Sequence, residues 1–263
     1  MNPITMADLA AQAMRQQLDV TPKPGLVDRR STGAHTDLDY DMMLRAIEAV
    51  RPHLVTFGQT GLFVAEKSDR EVADVMQKVG EATLDAMFEA TGGVNAYKGT
   101  LFCLGLFITA YYCLLRRQKP LTAATVSDQI AALSAHIVRR KDTHGDWVNE
   151  SYGVEGALGE AQQGYRVWLK DGLPMLRQAK REGEEELARF FLFIVSKLKD
   201  SCLYYRVGAE LAENARTIAD YVYHHYDGDN VSAMCSYFER CHLSTGGSGD
   251  IFTLLLLADS VLQ

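Results

Sequence analysis

An all-α, single-domain multi-helix bundle, with functional loops gathered at helix ends, is the fold that this sequence predicts, and three observations predict it. Apolar residues recur at i, i+3, i+4 and i+7 along most of the chain. No stretch alternates with a period of two and closes on hairpin turns. The most apolar run, Leu101 to Leu115, is broken only by Gly105 and Thr109, and suits the central buried helix of such a bundle.

Taken in order, Met6, Leu9, Ala10, Ala13 and Met14 mark the first helix, with Thr5 placed to cap it. Met43, Ala46, Ile47 and Val50 mark the second, and Pro52 follows where a helix ends or bends. Val72, Val75, Met76, Val79, Thr83 and Met87 trace a long amphipathic helix that Gly92-Gly93 terminates. Beyond the apolar run come stripes at Val126–Ile137, Leu187–Leu198, Leu211–Val222, Val231–Phe238 and Ile251–Leu262. Arg181 to Glu186 reads as a charged surface turn or helix start. The whole chain, 1–263, is read as one domain, without a linker or repeat.

Composition narrows the partners. A hydrophobic fraction of 47% with 23% charged residues belongs to an ordinary globular protein. The net charge of −7 argues against nucleic acid and against an anionic membrane surface, because both rely on long-range positive potential. An anionic ligand must therefore meet a local basic pocket. Leu101–Leu115 falls short of the roughly 20 residues of a membrane span. Five cysteines without a C-x-x-C pair suit reduced thiols in the cytoplasm, and the first 18 residues lack the pattern of a secretory signal. Cys235, Cys241 and His242 lack the spacing of a zinc site.

The glycines and charges gather at predicted helix boundaries. Residues 21–41 carry two prolines and two glycines together with Lys23, Arg29, Arg30, His35, Asp28, Asp37, Asp39 and Asp41. Rigid backbone loaded with both charge signs suits a polyanion and its metal. His35, Asp37, Asp39 and Asp41 offer ligands to Mg²⁺, with substrate phosphates completing the octahedron, although an acidic first turn of a helix accounts for one or two of these aspartates. Similar junctions occur at Thr91–Gly99, Asp142–Asp146, Asp200–Gly208 and Ser244–Asp250. In a bundle such junctions can meet at one end and build a pocket.

Gly246, Gly247 and Ser248 precede an apolar helix whose amides and dipole suit phosphate oxygens, with a glycine-rich turn capped by Ser248 or Asp250 as the simpler alternative. Lys98 opposes the dipole of the helix that it starts, an oddity that a phosphate would remove; a lysine snorkelling to solvent is the alternative. Glu81, Asp85 and Glu155 read as solvated helix acids. Glu160, among closely spaced glycines, does not.

Thr21-Pro22-Lys23-Pro24-Gly25-Leu26-Val27-Asp28, Gly33-Ala34-His35-x-Asp37, Gly93-Val94-Asn95-x-x-Lys98-Gly99, Thr143-His144-Gly145, Gly156-x-x-x-Glu160-Ala161, Asp200 through Arg206-x-Gly208, and Gly246-Gly247-Ser248-x-Asp250 follow one another in an order that resembles the triphosphoribosyl-dephospho-CoA synthase family. The chain departs from the usual family pattern at Ala96-Tyr97, Ser201-Cys202, Ser244-Thr245 and Gly249. The resemblance implies a transferase that joins ATP to 3′-dephospho-CoA and expels adenine. Its product is the prosthetic-group precursor for the acyl carrier of citrate lyase or malonate decarboxylase.

On that resemblance, Lys23, Asn95, Lys98, Arg206, Gly246, Gly247 and Ser248 are expected on the nucleotide and its phosphates, and Asp28 and Asp37 near Mg²⁺. His35, Asp37, Glu160 and Asp250 are the catalytic candidates. A Mg²⁺-dependent all-α nucleotide hydrolase and a non-catalytic helical adaptor are the competing readings. A homodimer is compatible with all of them.

Overall fold

The computed structural model describes residues 1–138, 141 and 143–262, so Asp142 of the expected Asp142–Asp146 junction lies outside the described residues. Among these it contains twelve α-helices, one π-helical turn and no strand. The first four helices are α1 (Pro3–Asp19), α2 (Tyr40–Phe63), α3 (Asp69–Thr91) and α4 (Lys98–Arg116). α1, α3 and α4 all pack on α2. The cap of α1 differs from the expectation: Asn2, not Thr5, supplies the capping oxygen, which accepts from the Thr5 amide. Pro52 ends nothing, since α2 runs eleven residues past it to Phe63. At α3 a Ser68–Glu71 capping box opens the helix and Gly92, at φ 64°, closes it.

α4 is buried on nearly every side, which its near-continuous apolar sequence requires. By length and composition it is apolar enough to cross a membrane, but 78% of its most apolar window lies inside the protein. Its close packing on α2 depends on Gly61: a Cβ there would stand 2.7 Å from the Thr109 carbonyl and from the Tyr112 Cβ.

The second half adds α5 (Ala123–Ser134), α6 (His144–Tyr152), α7 (Gly156–Gln162), the π-turn Trp168–Gly172, α8 (Leu173–Glu182), α9 (Glu184–Lys197), α10 (Ser201–His224), α11 (Gly228–Arg240) and α12 (Gly246–Val261). Gly183 separates α8 from α9 within the charged segment read as a turn. Like α4, α12 is apolar all round. It is buried between α1 and α4 on one side and α8 and α9 on the other. One continuous core joins both halves, with Phe57, Phe107, Tyr112, Phe191 and Phe252 among its largest members.

The first turns of α4, α7, α10 and α12 touch one another. Thr100 of α4 bonds Asp250 of α12, Asp200 at the α10 cap bonds α12, and Ser201 packs on Gly156 of α7. At the same end His144, the first residue of α6, stacks on Tyr205 of α10. The α10 backbone breaks at Gly208 (φ 77°, ψ 173°), which separates its first two turns from the rest.

Gly61→Ala is expected to lower unfolding stability by about 1–3 kcal/mol, since the added methyl must push backbone rather than a flexible side chain. Denaturant melts at constant m-value read this directly.

Candidate active site

The convergence of helix starts is held by one buried carboxylate. Asp200 accepts from the Gly247 amide at 3.1 Å, the Ser248 amide at 2.7 Å, the Ser248 hydroxyl at 2.9 Å and the Cys202 amide at 2.9 Å. Two of the three groups expected on phosphate at α12, Gly247 and Ser248, are thus engaged by the protein itself. The N-terminal amides of Gly247 and Ser248 do bind an anion, but it belongs to the protein. The glycines let α10 approach, because a Cβ at Gly247 would lie 2.9 Å from the Asp200 Oδ1 and one at Gly246 2.9 Å from the Cys202 sulfur.

Two residues beyond Ser248, Asp250 turns towards α4 and accepts from Thr100 Oγ1 at 2.6 Å. A Cβ at Gly99 would collide with its carboxylate. Most of Asp250 is out of solvent, yet part of it stays accessible. Desolvation, reinforced by the Asp200 charge, pushes its pKa up to about 8. Glu160 is a second partly accessible acid. It accepts from the Trp168 indole at 2.8 Å, and burial together with the nearby Glu155 charge moves its pKa up. The charges of both acids, added to burial, push up the pKa values of Tyr165 and Cys103, whose hydroxyl and thiol meet at 3.2 Å.

The opening loop is stitched to this end. Thr245 Oγ1 donates to the Pro24 carbonyl at 2.7 Å, His35 Nε2 and the Ser244 hydroxyl are 3.1 Å apart, and Arg206 donates to the Ala34 carbonyl at 3.2 Å. Burial and the Arg206 charge move the pKa of His35 down, against the pull of Asp37, whose carboxylate is 3.7 Å from Nδ1. Asp37 itself is exposed. Lys98 and Arg206 both reach the surface. Asn95 also differs from a free ligand contact, since its side-chain oxygen accepts from the Lys98 amide at 3.0 Å and caps the start of α4.

Two expected ligands are scaffold. Lys23 is buried, and its ammonium donates to the carbonyls of Gln17 (2.5 Å), Leu18 (3.1 Å) and Val20 (3.5 Å), closing the C-terminal end of α1. Asp28 accepts from the amides of Lys23, Arg30 and Ser31, and so folds the loop instead of facing a metal. Asp39 is the N-cap of α2 and Asp41 lies in its first turn, the dipole explanation. Among the described residues no cluster of three or more His, Cys, Asp or Glu suits a metal ion. Asp37 remains as one exposed carboxylate, a fit for Mg²⁺ only when phosphates supply most of the other ligands.

A cleft of about 610 Å³ is lined by Lys23, Asp28, Ser31, Glu184 and Glu239 among others. Several of its polar groups are engaged within the protein: Ser31 donates to Glu239 at 2.5 Å, in addition to the Lys23 and Asp28 bonds. Asp250, Glu160, Lys98 and Arg206 are not among its lining residues, although the exposed Arg30 is. Tyr97, a departure from the family pattern, is a buried core residue with its hydroxyl unpartnered.

Comparison with known proteins decides the family. The sequence profile of the CitG family, described as ATP:dephospho-CoA triphosphoribosyl transferase, matches residues 3–263. The chain belongs to the CitG family. Similar proteins described as probable 2-(5''-triphosphoribosyl)-3'-dephosphocoenzyme-A synthase occur in Pseudomonas fluorescens (31% identical, covering 97% of this chain and 91% of the relative) and Vibrio cholerae (29% identical, 99% and 89%). Another, in Azotobacter vinelandii, is 34% identical over 78% of this chain and 71% of its own length. No solved structure matches. The CitG motifs therefore divide by position: some bind within the protein, as at Lys23, Asp28 and Gly247-Ser248, and others reach solvent, as at Lys98, Arg206, Asp250 and Glu160.

Two outcomes separate scaffold from chemistry. Burial, against the pull of Asp28 and Asp19, pushes the Lys23 pKa down to about 7. Lys23→Met is therefore expected to cost about 1–3 kcal/mol of stability, from buried hydrogen bonds lost to α1, while the KM for nucleotide stays unchanged. Asp250 follows from its raised folded pKa: its favourable contribution is full below about 4 and is lost as pH rises towards 8. Asp250→Asn should therefore melt above wild type by a margin that widens across that window, measured by thermal unfolding at several pH values.

Proposed function

We propose that this chain transfers the triphosphoribosyl group of ATP to the 2′-hydroxyl of 3′-dephospho-CoA, releasing adenine and giving 2′-(5″-triphosphoribosyl)-3′-dephospho-CoA. The observation that carries the proposal is the pair of partly accessible, desolvated acids, Asp250 and Glu160, on two of the helices whose first turns meet where Lys98 and Arg206 reach the surface, in a member of the CitG family. The triphosphate is drawn to the two cations and to the positive ends of the helices.

The reacting bond is the glycosidic bond at C1″, not a phosphate bond. Asp250, protonated up to about pH 8, donates a proton to the departing adenine. Glu160, oriented by the Trp168 indole, faces the positive charge that develops on the ribose as adenine leaves. His35, kept neutral by burial and Arg206, accepts the proton of the attacking 2′-hydroxyl. Mg²⁺ would enter with ATP and be shared by Asp37, where it neutralises triphosphate charge. The cysteines, all unpaired, fit a reducing cytoplasmic setting. The product would serve as the prosthetic-group precursor of citrate lyase or of malonate decarboxylase.

Incubation with ATP, 3′-dephospho-CoA and Mg²⁺ should yield free adenine and the enlarged CoA derivative, resolved by chromatography and mass. Release of phosphate or pyrophosphate without adenine would instead identify the nucleotide hydrolase. Asp250→Asn is expected to lower kcat by roughly 10²–10⁴-fold and to abolish the alkaline limb of kcat/KM near pH 8. Lys98→Ala should raise the KM for ATP about tenfold or more, the scale of one charge-assisted contact.

A further inference from the structure

Thr143-His144-Gly145 belongs to the family pattern, but the chemistry above uses none of it. In the structure Thr143 caps α6 by accepting from the Asp146 amide at 3.1 Å, which sets His144 at the first position of the helix. His144 lies flat on Tyr205, with ring centroids 3.6 Å apart and planes 14° from parallel. Trp147, one turn further along α6, meets Tyr205 at 5.7 Å and 90° and meets Tyr152 at 5.6 Å and 85°.

These rings are exposed: Trp147 by 46%, and Tyr152 and Tyr205 by 39% each. Core packing therefore does not account for them. Exposed aromatic area is unfavourable in water, and here it is concentrated where helix starts meet. Cations stand beside it. Arg206 directly follows Tyr205, and the charges of Lys98 and Arg206, after partial desolvation, move the pKa of His144 down. Because Trp147 stands at 90° to Tyr205, the two rings make an aromatic corner and not a flat surface. A corner next to two surface cations complements a ligand that is a flat ring at one end, stacked on one wall and edge-on to the other, and a phosphate at the other.

We propose that Trp147 and Tyr205, the latter backed by His144, form a two-walled platform for the adenine ring of a phosphorylated nucleotide, one wall stacking on the base and the other meeting its edge, with the phosphates reaching Lys98 and Arg206. The proposal rests on the transferase reading for its ligands, since both substrates carry adenine. The platform belongs to α6 and the first turns of α10, ahead of the break at Gly208, so its two halves come from segments about sixty residues apart. It binds and orients, and takes no part in proton transfer.

The test uses calorimetric titration of the full chain with three probes separately: ATP, 3′-dephospho-CoA and inorganic tripolyphosphate, the last having no base. Trp147→Ala and Tyr205→Ala are each expected to weaken at least one adenine-bearing probe roughly tenfold or more, while tripolyphosphate stays within about twofold. Trp147→Phe should keep most of the affinity. Loss confined to ATP assigns the platform to the departing adenine; loss confined to 3′-dephospho-CoA assigns it to the acceptor. Unchanged affinity for both nucleotides overturns the platform, as does an equal loss for tripolyphosphate or a wild-type protein that binds neither nucleotide. Adenine release by the same wild-type preparation is scored independently. Release with unaltered variant affinities removes the platform and leaves the transferase, whereas base-dependent losses without release do the reverse.

Discussion

The Asp200 carboxylate is the constraint on which the reactive end of this protein depends. A buried anion costs several kcal/mol unless its oxygens are fully bonded, and here four donors from two helix starts supply those bonds. Because the donors belong to both α10 and α12, satisfying the charge also fixes the two helices against each other. Asp250 is then carried to the first turn of α4, where Thr100 receives it. The charge that locks the scaffold also lies close enough to Asp250 to disfavour a second anion. Structural and chemical roles are thus coupled: burial moves the Asp200 pKa up, its four donors pull against that shift, and the charge that it carries helps to hold its neighbour protonated.

The same geometry reconciles an acidic protein with a polyanionic substrate. At −7 the chain has no long-range attraction for phosphate. Helix starts converge at one end, however, and each contributes positive partial charge. Asp200 answers the amides at the start of α12, while Lys98 and Arg206 extend from the first turns of α4 and α10 to the surface. Lys98 opposes the dipole of its own helix; an anion at that position would relieve the conflict.

What the sequence revealed and what it hid follow from the range of the interactions involved. Long helices with continuous apolar stripes, α3, α4 and α12 above all, were legible because their periodicity is local. The caps were less so: Asn2 and Thr5 are both capping residues, and only the position of Pro3 at the first turn favours the former. The segment containing α6, α7 and the π-turn gave no stripe, since it is short, glycine-rich and only partly buried. Roles at the helix ends were legible as chemistry but not as partnership. A Gly-Gly-Ser turn has the same composition whether its amides meet substrate phosphate or a carboxylate 48 residues away, as at Ser248. Lys23 and Asp28 illustrate the same ambiguity, being charged residues in a rigid loop whose partners turn out to be the backbone.

The state of Asp250 bears on which bond such a site is built to break. Adenine leaves a ribose readily only after a ring nitrogen has gained a proton, so a neutral acid reaching the glycosidic bond removes the main obstacle. Departure of a phosphate group has no comparable need, because its leaving oxygen is already stabilised as an anion by cations and amides. An acid kept protonated to about pH 8, in a protein whose nearest helix amides are already occupied by Asp200, is therefore matched to glycosyl transfer. The cost is a desolvated carboxyl that weakens the fold as pH rises, tolerated here because Thr100 and the close approach of Gly99 leave it a single orientation.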